Sequence, residues 1–425
     1  MATDAATPAV SERNIIFLVG AIQFVNILDF MMVMPLGPDF ARELDISISH
    51  LGYIGGAYTA AASVAGLAGS FFLDRFDRRK ALTLAMLGLV MGTALGGFAR
   101  GLGSLMVARV IAGAFGGPAT SLSLSIVADV IPPERRGRAM GTVMRAFSLA
   151  SILGVPMGLE LARHGSWRTP FFAVSGLGLV LTLLGGWSLP PLVGHLAARV
   201  VTTVKPDASY RSPGAQSETQ HAASSLGALL RRPTVWLAYL LTATTMMGMF
   251  TLVPNLSSYI QINLGYPRER LGLLYMIGGV GSFIVLGLAG RLVDRYGSFR
   301  VGTLSTLLVM AVIALGYMRE PPYLPVLVVF VLFMCATGFR NVAFNTLLSK
   351  VPSPVERARF MSIQSAVQHF AAAVGAFISP MILSEEPGTH RIVNMPALCA
   401  FSMLLFVAMP PLLKAIEARV KPAAA

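Results

Sequence analysis

Twelve apolar runs divide this chain, near residues 14–36, 50–73, 81–99, 103–130, 139–161, 168–189, 234–260, 271–292, 300–318, 322–349, 361–383 and 394–415. A helix needs roughly 20 apolar residues to cross the hydrocarbon of a bilayer. Within lipid every backbone N–H and C=O must be satisfied by its own segment, so runs of this length fold as helices. The chain is therefore expected to be an all-α membrane protein. Composition agrees, with 55% hydrophobic and 12% charged residues, against about 25% charged in an ordinary soluble domain. The long fourth and tenth runs have room for a kink or a short interfacial piece. The first run follows a polar stretch without a basic cluster and has no small-residue cleavage pattern. It reads as a retained span, not a signal peptide.

The chain also repeats itself. Ser70 to Lys80 read S-F-F-L-D-R-F-D-R-R-K, and Gly290 to Arg300 read G-R-L-V-D-R-Y-G-S-F-R. Asp294 follows Asp74 by 220 residues. The runs starting near Asn14 and Thr234 share that offset, as do Ile131-Pro132 and Val351-Pro352. One offset for three landmarks indicates a tandem duplication of a six-span unit, the usual architecture of a secondary transporter. The expected organisation is a six-helix bundle over 1–189, a cytoplasmic linker over 190–233 and a second bundle over 234–425. The linker contains Pro190-Pro191 and D-A-S-Y-R-S-P-G-A-Q-S-E-T-Q. Its polar composition predicts partial disorder, with a short interfacial helix from Leu226 to Arg232.

The formal charge of +13 would suggest a nucleic-acid partner in a soluble protein. In a membrane protein, basic residues collect in cytoplasmic loops. With the N-terminus inside, Arg42, Arg100, Arg163, Arg168, Arg268, Arg270, Arg319 and Arg391 fall in outside loops. Arg109, Arg145 and Arg340 fall within spans, and the rest of the 33 basic residues lie inside. Both termini are expected in the cytoplasm, at the inner membrane, with no nucleic-acid partner. Cys335 and Cys399 sit in apolar runs and read as packing residues. The chain has no H-E-x-x-H, G-x-S-x-G or P-loop pattern and no Cys/His cluster. No enzyme activity, cofactor or metal is expected, so transport would be driven by a gradient.

An ionisable group within a span is costly and marks function by default. Asp29 lies about 22 Å into the first span, counted from the cytoplasm, and Arg109 about 9 Å below the outer surface in the fourth. Their depths match, so a direct or water-bridged pair is geometrically feasible. Burial favours the neutral acid and a nearby guanidinium favours the carboxylate. Making and breaking that contact would change proton affinity; the other reading is a static ion pair that orients two helices. Gln23, Asn26 and Asp29 recur every three residues and form one polar stripe. Arg145 reads as a cavity residue, a snorkelling cation or a partner of Asp129. Arg340, followed by Asn341 and Asn345, is too deep to snorkel. His369 reads as a proton carrier or a hydrogen-bonded packing residue. Met31, Met32 and Met34 end the first span, and Met246, Met247 and Met249 lie in the seventh. Such flexible, polarisable surfaces tolerate many ligands, although core packing explains them equally. The expected substrate cavity comprises Gln23, Asn26, Met31, Tyr58, Arg145, Tyr239, Met246, Arg340 and Asn341. Pro35 and Pro254 read as equivalent hinges.

These features resemble the major facilitator superfamily over nearly the whole chain. The signature loop of that family, G-x-x-x-D-R/K-x-G-R-R/K, is matched at Asp74, Arg75, Arg78, Arg79 and Lys80, with Ser70 for the first Gly and Asp77 for the second. The second copy keeps Gly290, Asp294, Arg295 and Gly297 but has Ser298 for Arg. The resemblance implies two pseudo-symmetric six-helix bundles and a cytoplasmic gate of Asp74, Arg75, Arg78, Asp129, Asp294 and Arg295 that locks the outward-facing state. On physical grounds, Asp74 can accept from N–H groups at a neighbouring helix start, and Arg78 can pair with Asp129. The alternative is that the arginines only set topology.

Arg109-Val-Ile-Ala-Gly113 matches the R-x-x-x-G motif implicated in proton coupling in the drug:proton antiporter branch. Asp29 matches a position where that branch often carries an acid, and spans one and four both line the central cavity in the family. Gly154, Pro156 and Gly158 match the kinked antiporter motif in part, with Ala150 for the upstream Gly and Val155 interrupting Gly-Pro. The pairs Gly52/Gly56, Gly92/Gly96 and Gly113/Gly117 read as ordinary helix contacts. The expected function is proton-coupled efflux of amphipathic small molecules by a monomer in the lipid bilayer. Uptake or exchange of a metabolite, including an organic anion, is the alternative, because Arg109, Arg145 and Arg340 outnumber Asp29. A non-transporting sensor is the third class.

Overall fold

The computed structural model describes residues 12–73, 76–190, 192, 229–353 and 356–420. Eleven of its helices are long and apolar enough to cross a membrane. The remaining expected span, Leu51–Phe72, has 22 residues and is long enough as well. Its glycines, tyrosines and hydroxyls dilute its hydropathy, because this helix is packed between protein neighbours more than against lipid. The first half comprises Glu12–Val33, Leu51–Phe72, Arg78–Gly97, Leu102–Val130, a broken fifth span and Arg168–Ser188. The second comprises Pro233–Ile262, Leu271–Tyr296, Ser298–Tyr317, Val326–Leu348, Arg357–Ile382 and a twelfth span split into Met395–Val407 and Met409–Val420. The break in the twelfth falls at Ala408, just before Pro410-Pro411, which lack the N–H donors a continuous helix needs. The expected linker lies outside the described residues except at its two ends.

Several expected boundaries change. The fourth span is one helix of 29 residues that carries Pro118 without interruption. The tenth begins only at Val326, after a proline-bearing loop. In the fifth, Ala150–Gly154 forms a π-helical turn between Pro133–Leu149 and Val155–His164. The extra residue of the π turn absorbs the donor that Pro156 removes. Pro35 and Pro254 are not equivalent hinges. Pro35 follows the end of the first helix, whereas Pro254 lies inside an unbroken helix of 30 residues.

The outer surface of the bundle is apolar: Trp187 is 86% and Leu304 71% exposed. A soluble monomer does not present a surface of this kind, so lipid is its solvent. The halves meet along span two against span eleven and span five against span eight. Ser63 Oγ of span two donates to the Ala366 carbonyl of span eleven at 3.1 Å; the other described polar contacts between the halves gather on the face opposite the one where the first helix starts. There Arg268 Nε donates to Asp39 Oδ2 at 3.0 Å. Glu385, on the small hairpin Ser384–Glu385/Ile392–Val393, accepts from Ser47 Oγ at 2.6 Å and the Ile48 N–H at 2.7 Å. Gln261 Nε2 donates to the Pro35 carbonyl at 3.3 Å. On the starting face, the described ion pairs Glu12–Arg135, Arg78–Asp129 and Arg232–Glu356 each stay within one half.

Candidate functional site

Asp29 and Arg109 meet inside the first half. Arg109 Nη1 donates to Asp29 Oδ1 at 3.1 Å and Oδ2 at 3.0 Å. Their side chains are 0% and 1% exposed, so neither charge is shared with solvent. Thr93, in the third span, places its hydroxyl 2.7 Å from Asp29 Oδ1. Phe171, from the sixth span, lies 5.4 Å from the guanidinium carbon. That ring packs where Gly96 leaves room, because a Cβ there would come within 2.7 Å of Phe171. Four helices thus enclose one ion pair. Desolvation of both charges is partly offset by mutual attraction, by the hydroxyl and by the aromatic face, while Arg109 Nε and Nη2 have no hydrogen-bond partner among the described residues.

The polar stripe of the first span runs on from Asp29 through Asn26 to Gln23. It faces span four within its own half, not an open central cavity. Asn26 Nδ2 donates to the Gly116 carbonyl at 2.8 Å and to Thr120 Oγ1 at 2.7 Å. Gln23 Nε2 reaches Thr120 Oγ1 at 3.5 Å. Tyr58 OH, from span two, donates to Asn26 Oδ1 at 2.8 Å. The physical reason is satisfaction: a buried amide is costly without partners, and span four offers a hydroxyl and an open carbonyl. Gly116 makes the approach possible, since a Cβ there would lie 2.3 Å from Tyr58 OH. Tyr58 packs 5.2 Å from Phe30, and Phe30 packs 5.8 Å from Phe250 of the second half. One aromatic layer therefore separates this network from the seam between halves.

The other expected cavity residues scatter. Arg340 is 0% exposed. Its guanidinium lies 4.5 Å from the Phe406 ring and Nη2 lies 3.3 Å from Met249 Sδ, so it is enclosed by spans seven and twelve instead of lining an open cavity. Its Nε and Nη1 have no hydrogen-bond partner among the described residues. Tyr239 stacks on Phe360 at 5.2 Å and is a packing residue. Met31, Met246 and Asn341 are half-buried, and Arg145 is exposed. Gly154 admits Leu28, and Gly158 sits in ordinary contact with Met32 and Pro170. The π turn packs on span eight, where a Cβ at Gly279 would meet Ile152 at 2.8 Å. His369 bonds the Ser365 carbonyl of its own helix at 2.8 Å.

Of the expected gate, Asp74 and Arg75 lie outside the described residues. Arg78 Nε meets Asp129 Oδ2 at 3.2 Å, joining spans three and four. The second-half copy is not a cluster: Asp294 and Arg295 are exposed, and Arg295 lies 5.3 Å from the Tyr296 ring. Two other acids accept hydrogen bonds at helix starts. Asp77 Oδ1 accepts from the Arg79 N–H at 2.9 Å and the Leu192 N–H at 3.0 Å. Glu417 accepts from the Phe299 N–H at 2.6 Å. Asp77 was legible as an N-cap, being an Asp directly before a helical run. Thr93, Phe171 and Glu417 carried no such signal.

A duplicated set of membrane helices with an ion pair buried inside its first half fits a membrane transporter. The family model described as Major Facilitator Superfamily matches residues 19–376 and 242–423. The chain belongs to that superfamily. It is 27% identical over 377 residues to the inner membrane transport protein YdhP of Escherichia coli (strain K12), covering 88% of this chain and 90% of that one. It is 25% identical over 379 residues to a chloramphenicol resistance protein of Streptomyces lividans, covering 89% and 90%. The crystal structure of a D-xylose-proton symporter superposes with a TM-score of 0.71 at 18% identity, covering 94% of this chain and 96% of that chain.

Proposed function

We propose that this protein is a proton-coupled efflux transporter of amphipathic small molecules working by alternating access. The observation that carries the reading is the Asp29–Arg109 pair, with Nη1 at 3.0 Å from Oδ2 and both side chains enclosed. A carboxylate held this way is stabilised by its cation. A rearrangement that draws Arg109 away leaves a buried charge, and the acid then takes a proton. Proton affinity is thereby tied to conformation. A relative that confers chloramphenicol resistance supports the outward direction. In this reading the termini are cytoplasmic, as the distribution of arginines suggests, and the protein works as a monomer. The far-face contacts Asp39–Arg268 and Ser47–Glu385 then close the outside, giving an inward-facing state. Arg78–Asp129, joining two helices of one half, acts in the cytoplasmic gate with Asp74, Arg75, Asp294 and Arg295.

A second reading, exchange of an organic anion, is favoured by Arg340, whose buried charge has no acidic partner among the described residues. One experiment separates the two. Purified protein in proteoliposomes is offered cationic, neutral and anionic compounds, chloramphenicol among them, with and without a pH gradient. Gradient-driven movement of amphipathic compounds that is lost in Asp29→Asn supports the first reading. Anion exchange indifferent to Asp29 replaces it with the second.

A further inference from the structure

We infer that Thr93 is a proton-dependent switch partner of Asp29: its hydroxyl donates a hydrogen bond to the carboxylate in one protonation state and accepts one from the protonated acid in the other. The inference rests on the reading of Asp29 as the proton-carrying group. A carboxyl group that titrates needs hydrogen-bond partners in both states. When ionised, Asp29 accepts from Arg109 Nη1 at 3.1 and 3.0 Å and from Thr93 Oγ1 at 2.7 Å. When protonated it becomes a donor and needs an acceptor. A guanidinium has donors and no acceptor, so Arg109 cannot serve. Asp29 is 0% exposed, which removes bulk water as the answer. Among the described partners of Asp29, the Thr93 hydroxyl alone can accept.

The second half of the switch is also in place. A hydroxyl carries one hydrogen, and Thr93 Oγ1 lies within reach of two acceptors: Asp29 Oδ1 at 2.7 Å and the Leu89 carbonyl at 2.8 Å. It cannot donate to both at once. With Asp29 ionised the hydrogen points to the carboxylate. With Asp29 protonated the carboxyl donates to Oγ1, and the Thr93 hydrogen turns to Leu89. Neither the Asp29 carboxyl nor the Thr93 hydroxyl is left with an unsatisfied hydrogen in either state, and an unmade bond there would be costly. Among the described charged or titratable groups near this carboxyl, Arg109 from span four bonds it directly and Tyr58 from span two stands on the far side of Asn26. The Tyr58 hydroxyl is committed to Asn26 at 2.8 Å. Span six contributes the uncharged Phe171. A Thr hydroxyl that bonds the carbonyl four residues earlier competes with the helix and bends it slightly. Protonation of Asp29 is thus passed to the backbone of span three.

The test is a pH titration of the Asp29 carboxyl C=O band by infrared difference spectroscopy on the full-length purified protein, the band being assigned by its loss in Asp29→Asn. Thr93→Val and Thr93→Ala both remove the hydroxyl, and Thr93→Ala keeps the test alive should the valine variant fail to fold. Either should move the titration midpoint upward by about one pH unit, because the charge-assisted bond lost from the carboxylate is roughly twice as strong as the neutral one lost from the acid. The C=O band should also move to higher frequency. Thr93→Ser should restore midpoint and frequency to wild-type values. A band that titrates in wild type but keeps its midpoint and frequency in Thr93→Val and Thr93→Ala overturns the Thr93 inference alone. A wild-type protein with no titrating Asp29 band overturns the proton-site reading and this inference together.

Discussion

Replacing Arg109 with methionine removes the cation while keeping an unbranched side chain of similar reach. At 3.0 Å and an effective dielectric of about 20, the pair attracts by about 5 kcal/mol. Breaking such a buried pair from one side typically costs about 3–5 kcal/mol, because the remaining charge has no escape to water. Protonation offers a second route. At pH 7, neutralising an acid of ordinary affinity costs about 4 kcal/mol, and at pH 5 about 1.5 kcal/mol. The folded variant therefore binds a proton that the unfolded chain does not, so its stability falls as pH rises. Arg109→Met should lose about 3–4 kcal/mol at pH 7 and about 2 kcal/mol less than that at pH 5. Adding Asp29→Asn should recover most of the loss, since no buried charge remains. Equilibrium unfolding in mixed micelles at both pH values measures each term of the cycle. A loss below about 1 kcal/mol that ignores pH, or a double variant no more stable than Arg109→Met, would refute the reasoning.

Three further outcomes are expected. Gly113→Val should lower the melting temperature well below that of Gly66→Ala, because a Cβ at Gly113 meets the Tyr58 carbonyl oxygen at 2.1 Å while Gly66 has nothing within 4 Å; equal melts would show that spans two and four do not need this close approach. Asp129→Asn and Arg78→Ala should each slow transport while leaving substrate binding intact. The double variant should be no slower than the worse single one, since the two groups share one contact at 3.2 Å; additive rates would sever the pair from the gate. Burial pushes the Glu385 acid up, but the Ser47 hydroxyl, His390 and the Ile48 N–H outweigh it and hold the group below its ordinary value. The far-face contact should therefore hold at neutral pH and be lost only as pH falls below the ordinary glutamate range, with spin labels at Asp45 and Glu269 moving apart; constant distances across that range would discount Glu385 as a latch.

Much of this was legible in the chain. The helices follow from the length of the apolar runs, and the depths of Asp29 and Arg109 follow from helix rise alone. Arg78 and Asp129 were paired because Arg78 opens the third span on the face where Asp129 closes the fourth. What was hidden is which way each helix turns. In lipid an apolar face is stable outward or inward, so periodicity does not say that Gln23, Asn26 and Asp29 look toward span four. Arg340 misled for the same reason: its depth was right, but its surroundings, Met249 and Phe406, come from helices far away in sequence. Thr93 gave no signal because a Thr in a span can always bond its own helix, as it does to Leu89. The π turn before Pro156 needed the packing of span eight to be seen.

The central claim is that Asp29 carries the proton. The direct measurement is proton movement into or out of proteoliposomes, followed with an internal pH indicator while a transported compound is added on one side. Wild-type protein should move protons when the compound is added. Asp29→Asn should bind the compound and exchange it across the membrane without moving protons. Proton movement of wild-type size in Asp29→Asn would contradict the account.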